Sequence, residues 1–481
     1  MLHLQNRELI EETTPLKIVF VRLPFYSLFG VTAVNMRTYP LNLLGLATYV
    51  RKKGYEAGIV DGEIIPLQKQ AGPGLVRTDP SEEVSRGIRK MIEIIEDADH
   101  FLWDDLEKRV LREKPDMVGI TCNSVGMEGA RHLARRLKPH GIPILLGGSH
   151  PTALPEQSLL YTGADIAVLG EGEKPLIHVM NAMSGKGALE KSPSIAWNRG
   201  GRIGRTRGRD LIRNLDELPI ADRGLLSRSD YFGEVIMTGR GCPYGCTFCA
   251  SKTIWGKRVR LRSVSSILEE LALLSGEGAS RLGRAVVKII DDTFTIDRSR
   301  TIRLLDAIVS EGLTKFEFTA AVRADSMDPK LALAMRKANV KRVTLGVESG
   351  SPKILQMIRK GETGAGIARG IRFLKDAGIW THAFFMTGFP GETIADVELS
   401  KRFIIETEPD HVEVNMVTPY PGTELFRTLF PDETGIDRWY RWFHQGLSTH
   451  SARLGFDLDQ VYSDFSSFAA QYNRSRQKDP G

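Results

Sequence analysis

The sequence predicts an α/β protein built from two successive parallel-sheet units: a doubly wound sheet, then a partial barrel of six strand-helix units, closed by a short helical cap. Three observations predict it. Strands that read as nearly continuous apolar runs alternate with amphipathic helical patterns, as in parallel sheets covered on both faces. That alternation occurs twice, on either side of a Gly-, Arg- and Pro-rich stretch at 186–229. The second series holds six units, too few to close an eight-stranded barrel.

The first unit, 1–185, begins with the β-formers LKIVFVRLP from Leu16, ended by Pro24, and a helical pattern at Leu41–Lys53 stopped by Gly54. EAGIVDGE (56–63), PDMVGITC (115–122), IPILLGG (142–148) and ADIAVLGEGE (164–173) supply the next strands, with a helix around Glu128–Lys138. An insertion at about 63–114 carries helical patterns near Ser81–Glu96 and His100–Arg112 and is too long for a plain connection. It is expected to fold over the ligand edge of the sheet. The stretch 186–229, with Arg199, Arg202, Arg205, Arg207 and Arg209 close together, reads as a linker with a small hairpin and a solvated basic face.

The second unit, 230–425, runs through EVIMTGR (234–240), AVVKIIDD (285–292), FEFTAAVRAD (316–325), RVTLGVESG (342–350), IWTHAFFMTGFPGE (379–392) and HVEVNMVTPY (411–420). Chemistry belongs where such strands end in loops. Residues 426–481, with Trp439, Trp442, Phe443 and Tyr462, are expected to form the cap.

The 481 residues, 42% hydrophobic and 26% charged, suit two or three globular domains and exclude a disordered or fibrous chain. Lys+Arg 65 against Asp+Glu 59 leaves a net charge of +6, which points to no nucleic-acid partner. MLHLQNRELIEETTP has neither the basic start nor the apolar run of a signal peptide. No apolar stretch approaches the ~20 residues of a membrane span. A cytoplasmic location is therefore expected.

Cys242, Cys246 and Cys249 fall in GCPYGCTFC, directly after the first strand of the second unit. Three thiolates cannot complete a structural zinc site, which takes four protein ligands, and Cys122 stands in the other domain. They can hold three irons of a 4Fe-4S cluster and leave the fourth open to substrate. Gly241 and Gly245 let the loop wrap closely, and Phe248 offers an apolar wall. Cys122 reads as a small buried residue at a strand end. GKGALEK (185–191) lacks the spacing of a phosphate loop.

This loop resembles that of the radical S-adenosylmethionine superfamily, whose Cys-x-x-x-Cys-x-x-Cys motif follows the first strand of a partial (β/α)6 barrel. The resemblance implies that the open iron chelates S-adenosylmethionine, which an electron cleaves to methionine and a 5′-deoxyadenosyl radical able to abstract hydrogen from carbon. It implies an external electron donor of flavodoxin, ferredoxin or other reductase type. It also implies, position by position, that Asp291 and Asp292 meet the methionine amine, Arg323 its carboxylate, and Glu348 and Ser349 the ribose. Gly388, Pro390 and their neighbours in GFPGE would lie along the adenine.

LLGGSHPTALPE (145–156), ADIAVLGEGE (164–173) and NLDELPIADRGLL (214–226) make residues 15–230 similar to the cobalamin-binding branch of that superfamily, with a Rossmann-like cofactor domain. Its candidate loops carry Ser124, Val125 and Gly126, then Gly147, Gly148 and His150, then Gly170, Glu171 and Gly172, at the sheet edge where cofactors bind. No Asp-x-His-x-x-Gly follows the first strand, where the chain reads PFYSLFG. Cobalamin is thus expected base-off, with His150 packing rather than ligating cobalt.

The resemblance implies cobalamin-dependent methylation of carbon or phosphorus in a small metabolite, as in secondary metabolism. The alternative on the same scaffold is non-methylating radical chemistry, such as dehydration or deoxygenation of an aminoglycoside-type sugar in antibiotic biosynthesis, cyclisation or rearrangement, with or without cobalamin. A tRNA- or protein-modifying relative would carry a further recognition domain. A non-enzymatic carrier would not need the joint set of Arg323, Glu348 and GFPGE.

Overall fold

A computed structural model describes residues 15–25, 38–64, 80–231, 233–276, 286–432, 438–444, 450–451 and 454–476. Most of PFYSLFG and the middle of the insertion lie outside them. The first sheet runs in the order β2-β1-β3-β4-β5-β6-β7. Its strands are β1 Lys17–Arg22, β2 Glu56–Asp61, β3 Met117–Thr121, β4 Ile144–Gly147, β5 Ile166–Val168, β6 Ile195–Arg199 and β7 Arg202–Arg205. The first five are parallel, with β1 flanked by β2 and β3.

The apolar runs of these strands serve both faces. Ile18 and Phe20 of β1 pack with Leu43 and Ala47 of α1 (Leu41–Lys52). Val19 and Val21 pack on the opposite face with Leu106 of α3 (Phe101–Arg112) and Leu133 of α4 (Met127–Leu137). Helix α2 (Pro80–Glu96) joins that second layer through Met91 and Ile95. Downstream helices are α5 Ser149–Ala153, α6 Pro155–Thr162 and α7 Glu173–Met183.

One expectation changes. The hairpin foreseen inside a linker extends the first sheet instead, because β6 pairs antiparallel with β5 and β7 with β6. Ile195 and Ala196 are fully buried there, so the edge of β5 is covered rather than left open.

The second unit is an open, all-parallel sheet in the order β8-β11-β12-β13-β14-β15. Its strands are β8 Glu234–Ile236, β11 Val286–Ile289, β12 Glu317–Val322, β13 Val340–Glu348, β14 Trp380–Thr387 and β15 His411–Met416. A separate antiparallel pair, β9 (Gly239–Arg240) and β10 (Arg260–Leu261), brackets the cysteine loop and α8 (Ser251–Trp255). Helices α9 (Val264–Gly276), α10 (Arg298–Ser310), α11 (Pro329–Lys337), α12 (Pro352–Met357), α13 (Gly364–Asp376) and α14 (Ile394–Thr407) follow the strands. Asp297, Asp328, Ser351, Thr363 and Thr393 cap helix N-termini with their side chains. Each cap satisfies a free amide and starts its helix soon after a strand-end loop.

The cap expected at 426–481 divides in two. Trp439, Tyr440, Trp442 and Phe443 are buried in the first unit's core beside Met127 and Leu133. After α15 (Glu424–Leu429), helix α16 (Leu458–Arg476) covers β15 with Phe465, Ala469 and Tyr472. The aromatic segment thus bridges the two units, its apolar area leaving water against the first unit's helices and against Phe426 and Phe430 around α15. Buried ion pairs join the units as well: Arg240 reaches Glu173 at 2.6 Å and Glu171 at 3.3 Å, and Arg260 reaches Glu171 at 2.7 Å. Among the described residues no helix is long and apolar enough to cross a membrane.

Candidate active site

The cysteine loop leaves β9 through Gly241 at φ +95°, where a Cβ would stand 2.4 Å from the carbonyl oxygen of Arg258. Only glycine turns here without strain. Thr247 holds the loop from both sides: its N–H donates to the Ile358 carbonyl at 3.0 Å, and its carbonyl accepts from Leu425 N–H at 3.0 Å. Cys242, Cys246 and Cys249 are partly exposed free thiols.

Burial pushes the Cys249 thiol up to about 11, with the charges of Cys246 and Cys242 adding to the rise, and the Cys249 N–H donates to the Cys246 carbonyl at 3.4 Å. Such thiols become thiolates on binding metal. No group of three His, Cys, Asp or Glu among the described residues could grip a single ion. A cluster does not ask for that, because each cysteine holds a different iron. The donor set therefore fits a 4Fe-4S cluster.

The residues expected around S-adenosylmethionine separate. Arg323, at the end of β12, stacks on Tyr244 inside the loop, 3.7 Å from the ring centre. Its Nε and Nη2 fork onto Asp325 at 3.0 and 2.8 Å, and Nη1 donates to the Lys360 carbonyl at 3.1 Å. Glu348 sits at φ +69°, at a register shift between β13 and β14, and accepts from the buried Lys360 Nζ at 3.0 Å. Lys360 also faces Glu362 at 3.4 Å, and those two carboxylates hold its ammonium charged despite burial. This buried net of Arg323, Glu348, Lys360 and Glu362 lies behind Cys246, whose thiol burial raises while Lys360 and Arg323 lower it.

Asp292 is exposed and accepts from Gly241 N–H at 3.1 Å, facing the loop. Asp291 turns the other way. It is buried, accepts from Thr238 N–H at 2.6 Å, and burial raises it to about 6. The two neighbours, just beyond β11, thus point to different surroundings, and it is Asp292 that lies beside the cysteine loop. Ser349 is also turned away, fully buried against Ser400 at 3.2 Å.

The GFPGE turn reaches the loop through Phe389, whose ring meets Phe248 edge-on at 5.9 Å. Gly388 has φ +103°, and Pro390 is half-buried beside it. Glu392 folds back to accept from Gly388 N–H at 2.6 Å, Phe389 N–H at 3.3 Å and the Thr387 hydroxyl at 3.1 Å.

A cavity of about 660 Å³ opens at the carboxyl edge of the first sheet. Gly126, Gly147, Gly148, Gly170, Glu171 and Gly172 line it from the first unit, and Met237, Trp255, Ile290 and Asp292 from the second. The insertion contributes Ile95 and Trp103, as expected of a segment over the ligand edge. A Cβ on Gly147 or Gly45 would meet nothing within 4 Å, so backbone is bared to the cavity at both. That cradle and its mostly apolar lining fit a large flat ring.

Several of the expected residues also make contacts within the protein. Gly148, at φ +110°, is required by the Cys122 carbonyl, 2.4 Å from its would-be Cβ, and Gly172 packs on Leu46. Glu171 is committed to Arg240, Arg260 and the Ile212 amide at 2.7 Å. Ser124 lies outside the lining, bonded to His150 Nδ1 at 2.9 Å. His150 Nε2 faces Gln157 at 3.2 Å, and its ring packs on Trp439 at 4.4 Å. Burial lowers His150 to about 4, so it stands neutral with both nitrogens engaged. Cys122 is buried, its thiol raised to about 12.

Sequence reasoning missed Tyr244 and Lys360. The aromatic residue between two of the cysteines was a signal for the first. The lysine, twelve residues beyond Glu348 and past a helix, gave none.

Residues 236–404 match the Radical SAM superfamily model and residues 88–180 the B12 binding domain model. An uncharacterized methyltransferase of Pyrococcus horikoshii is 34% identical over 338 residues, 68% of this chain and 72% of the relative. The anaerobic magnesium-protoporphyrin IX monomethyl ester cyclase of Cereibacter sphaeroides is 27% identical over 349 residues, 69% of this chain and 56% of that protein. The radical S-adenosylmethionine methyltransferase TsrM of Kitasatospora setae, solved with cobalamin and a [4Fe-4S] cluster bound, shares the fold: TM-score 0.68 at 18% identity, over 88% of this chain and 79% of that one. The cofactors of the two domains are a 4Fe-4S cluster with S-adenosylmethionine and cobalamin. From the three-cysteine loop at the head of an open six-stranded sheet and the glycine-lined cavity ahead of it, the chain belongs to the radical SAM superfamily, in the branch that carries a B12 binding domain.

Proposed function

We infer that this enzyme methylates carbon or phosphorus of a small molecule, drawing the methyl group from cobalamin. The reading is supported by one observation above all: a single cavity is walled by the bared glycines of the first sheet and by Asp292 beside the cysteine loop. When bound, the cluster with S-adenosylmethionine supplies a carbon radical, and cobalamin supplies a methyl group.

The chain's own residues do the placing. Gly147 and Gly45 admit the flat ring to backbone distance, and Ile95, Trp103 and Trp255 keep water from it. Asp292 presents a carboxylate to an ammonium at the loop. The Arg323–Tyr244 stack and the Lys360–Glu348 pair fix the loop from behind.

The test is turnover of anaerobically reconstituted protein with cobalamin, a reductant, candidate small molecules and S-adenosylmethionine deuterated on its methyl group. A product carrying the label, together with 5′-deoxyadenosine, is expected. Deoxyadenosine and an altered product without label would replace this reading by the non-methylating one, the chemistry that the cyclase name of one relative describes.

A further inference from the structure

The outer side of the cysteine loop carries a local excess of positive charge that the internal chemistry does not use. Lys252, on α8, places its ammonium 3.8 Å from where a Cβ on Gly245 would stand, between Cys242 and Cys246 in sequence. Arg209 donates to the Lys252 carbonyl at 3.1 Å, and Arg205, at the end of β7, stands four residues before Arg209 in the chain. On the other side, Arg359 follows Ile358 and Arg427 stands two residues after Leu425, the two residues whose backbones hold Thr247. Glu424 is the carboxylate among them: it pairs with Arg359 and feels Arg427 and Lys252 too. Arg205, Arg209, Arg359 and Arg427 are exposed and Lys252 is half-exposed. Five cations thus gather with Glu424 on the outer side of the loop, in a chain whose whole excess is +6.

The sequence holds only four cysteines, three in the loop and one buried as a thiol in the other unit, so these residues build no second cluster to relay electrons. Each reductive cleavage takes one electron, and it must arrive from outside at this loop.

We propose that the face formed by Arg205, Arg209, Lys252, Arg359 and Arg427 docks an acidic one-electron carrier protein. In the transfer the carrier is oxidised by one electron, the cluster is reduced by one, and no atom moves. Opposite charge steers the encounter, and the short path from Gly245 to the cysteines receives the electron. This rests on the radical SAM reading, and the test separates the two.

The probe is a recombinant acidic flavodoxin added to the reconstituted enzyme, with its dissociation constant read from flavin fluorescence at about 0.05 and 0.3 M salt. Affinity should fall with salt. The triple variant Arg205→Glu, Lys252→Glu, Arg427→Glu should bind at least about tenfold more weakly and lose most of the salt dependence. Its cluster spectrum and its S-adenosylmethionine cleavage driven by photoreduced deazaflavin, which needs no docking, should match the parent. Equal flavodoxin affinity in variant and parent overturns the proposal, as does a duplex oligonucleotide that displaces flavodoxin from this face. Failure of deazaflavin-driven cleavage in the parent counts against the enzymatic reading instead, and the binding comparison still decides the surface.

Discussion

Arg323 lies flat on the ring of Tyr244, 3.7 Å from its centre, and so ties the end of β12 to the middle of the cysteine loop. With Nε and Nη2 on Asp325 and one Nη1 proton on the Lys360 carbonyl, the guanidinium is largely engaged by the protein itself. Family resemblance implied a contact to the methionine carboxylate. The geometry gives Arg323 a structural task first.

Replacing Arg323 by Ala should therefore destabilise the protein even without cofactors. It strips a buried partner from Asp325 and Glu362 and the stack from Tyr244, at a cost of about 3 kcal/mol. The urea midpoint of cluster-free protein reads this directly. An unchanged midpoint would mean that Arg323 serves only the ligand.

The cysteines give the second expectation. Cys246→Ala should abolish both iron uptake and 5′-deoxyadenosine formation, because two thiolates do not retain the cluster. Cys122→Ala should keep both, since that thiol is buried and held protonated in the other unit. Iron analysis and product chromatography of the two variants are sufficient. Full iron content in Cys246→Ala refutes the ligand set.

The cysteine loop and the order of the strands were legible because each depends on local pattern: apolar runs, glycines and a fixed cysteine spacing. What escaped was direction and distance. Just beyond β11 two aspartates stand side by side, and the sequence does not say which one the chain turns inward; Asp291 goes to Thr238 and Asp292 to the loop. The Lys360 partner of Glu348 depends on a turn beyond α12. The hairpin of β6 and β7 was visible, but its pairing with β5 is a long-range contact.

The glycines of the first sheet make distinguishable predictions. Gly147→Val should fill the cradle and prevent cobalamin binding while leaving the cluster and the melting curve unchanged, because nothing lies within 4 Å of its Cβ. Gly148→Val should lower stability whether or not cobalamin is present, through its φ of +110° and the Cys122 carbonyl. Corrin absorbance after gel filtration, read beside circular-dichroism melts, separates them. Parent-like cobalamin retention in Gly147→Val would move the corrin elsewhere. Cobalamin bound by the parent should show no spectrum of histidine-ligated cobalt, since His150 has both nitrogens occupied, and His150→Ala should leave that spectrum unchanged.

Glu392 should impose a pH dependence on the GFPGE turn. Burial raises its carboxyl to about 7, against the pull of the Gly388 and Phe389 amides and the Thr387 hydroxyl. The folded state therefore holds the proton more tightly than the unfolded chain, whose glutamate titrates near 4.5. The resulting stabilisation is complete below about pH 4.5 and is lost as the pH rises through about 7. Glu392→Gln keeps an acceptor for the two amides but has no proton to lose. Its stability relative to the parent should rise between about pH 5 and 8 by as much as about 3 kcal/mol. Asp291, raised in the same sense, is common to both proteins and cancels in the comparison. Urea midpoints across that range measure it, and parallel curves for parent and variant would show that Glu392 is already ionised in the folded turn at pH 5.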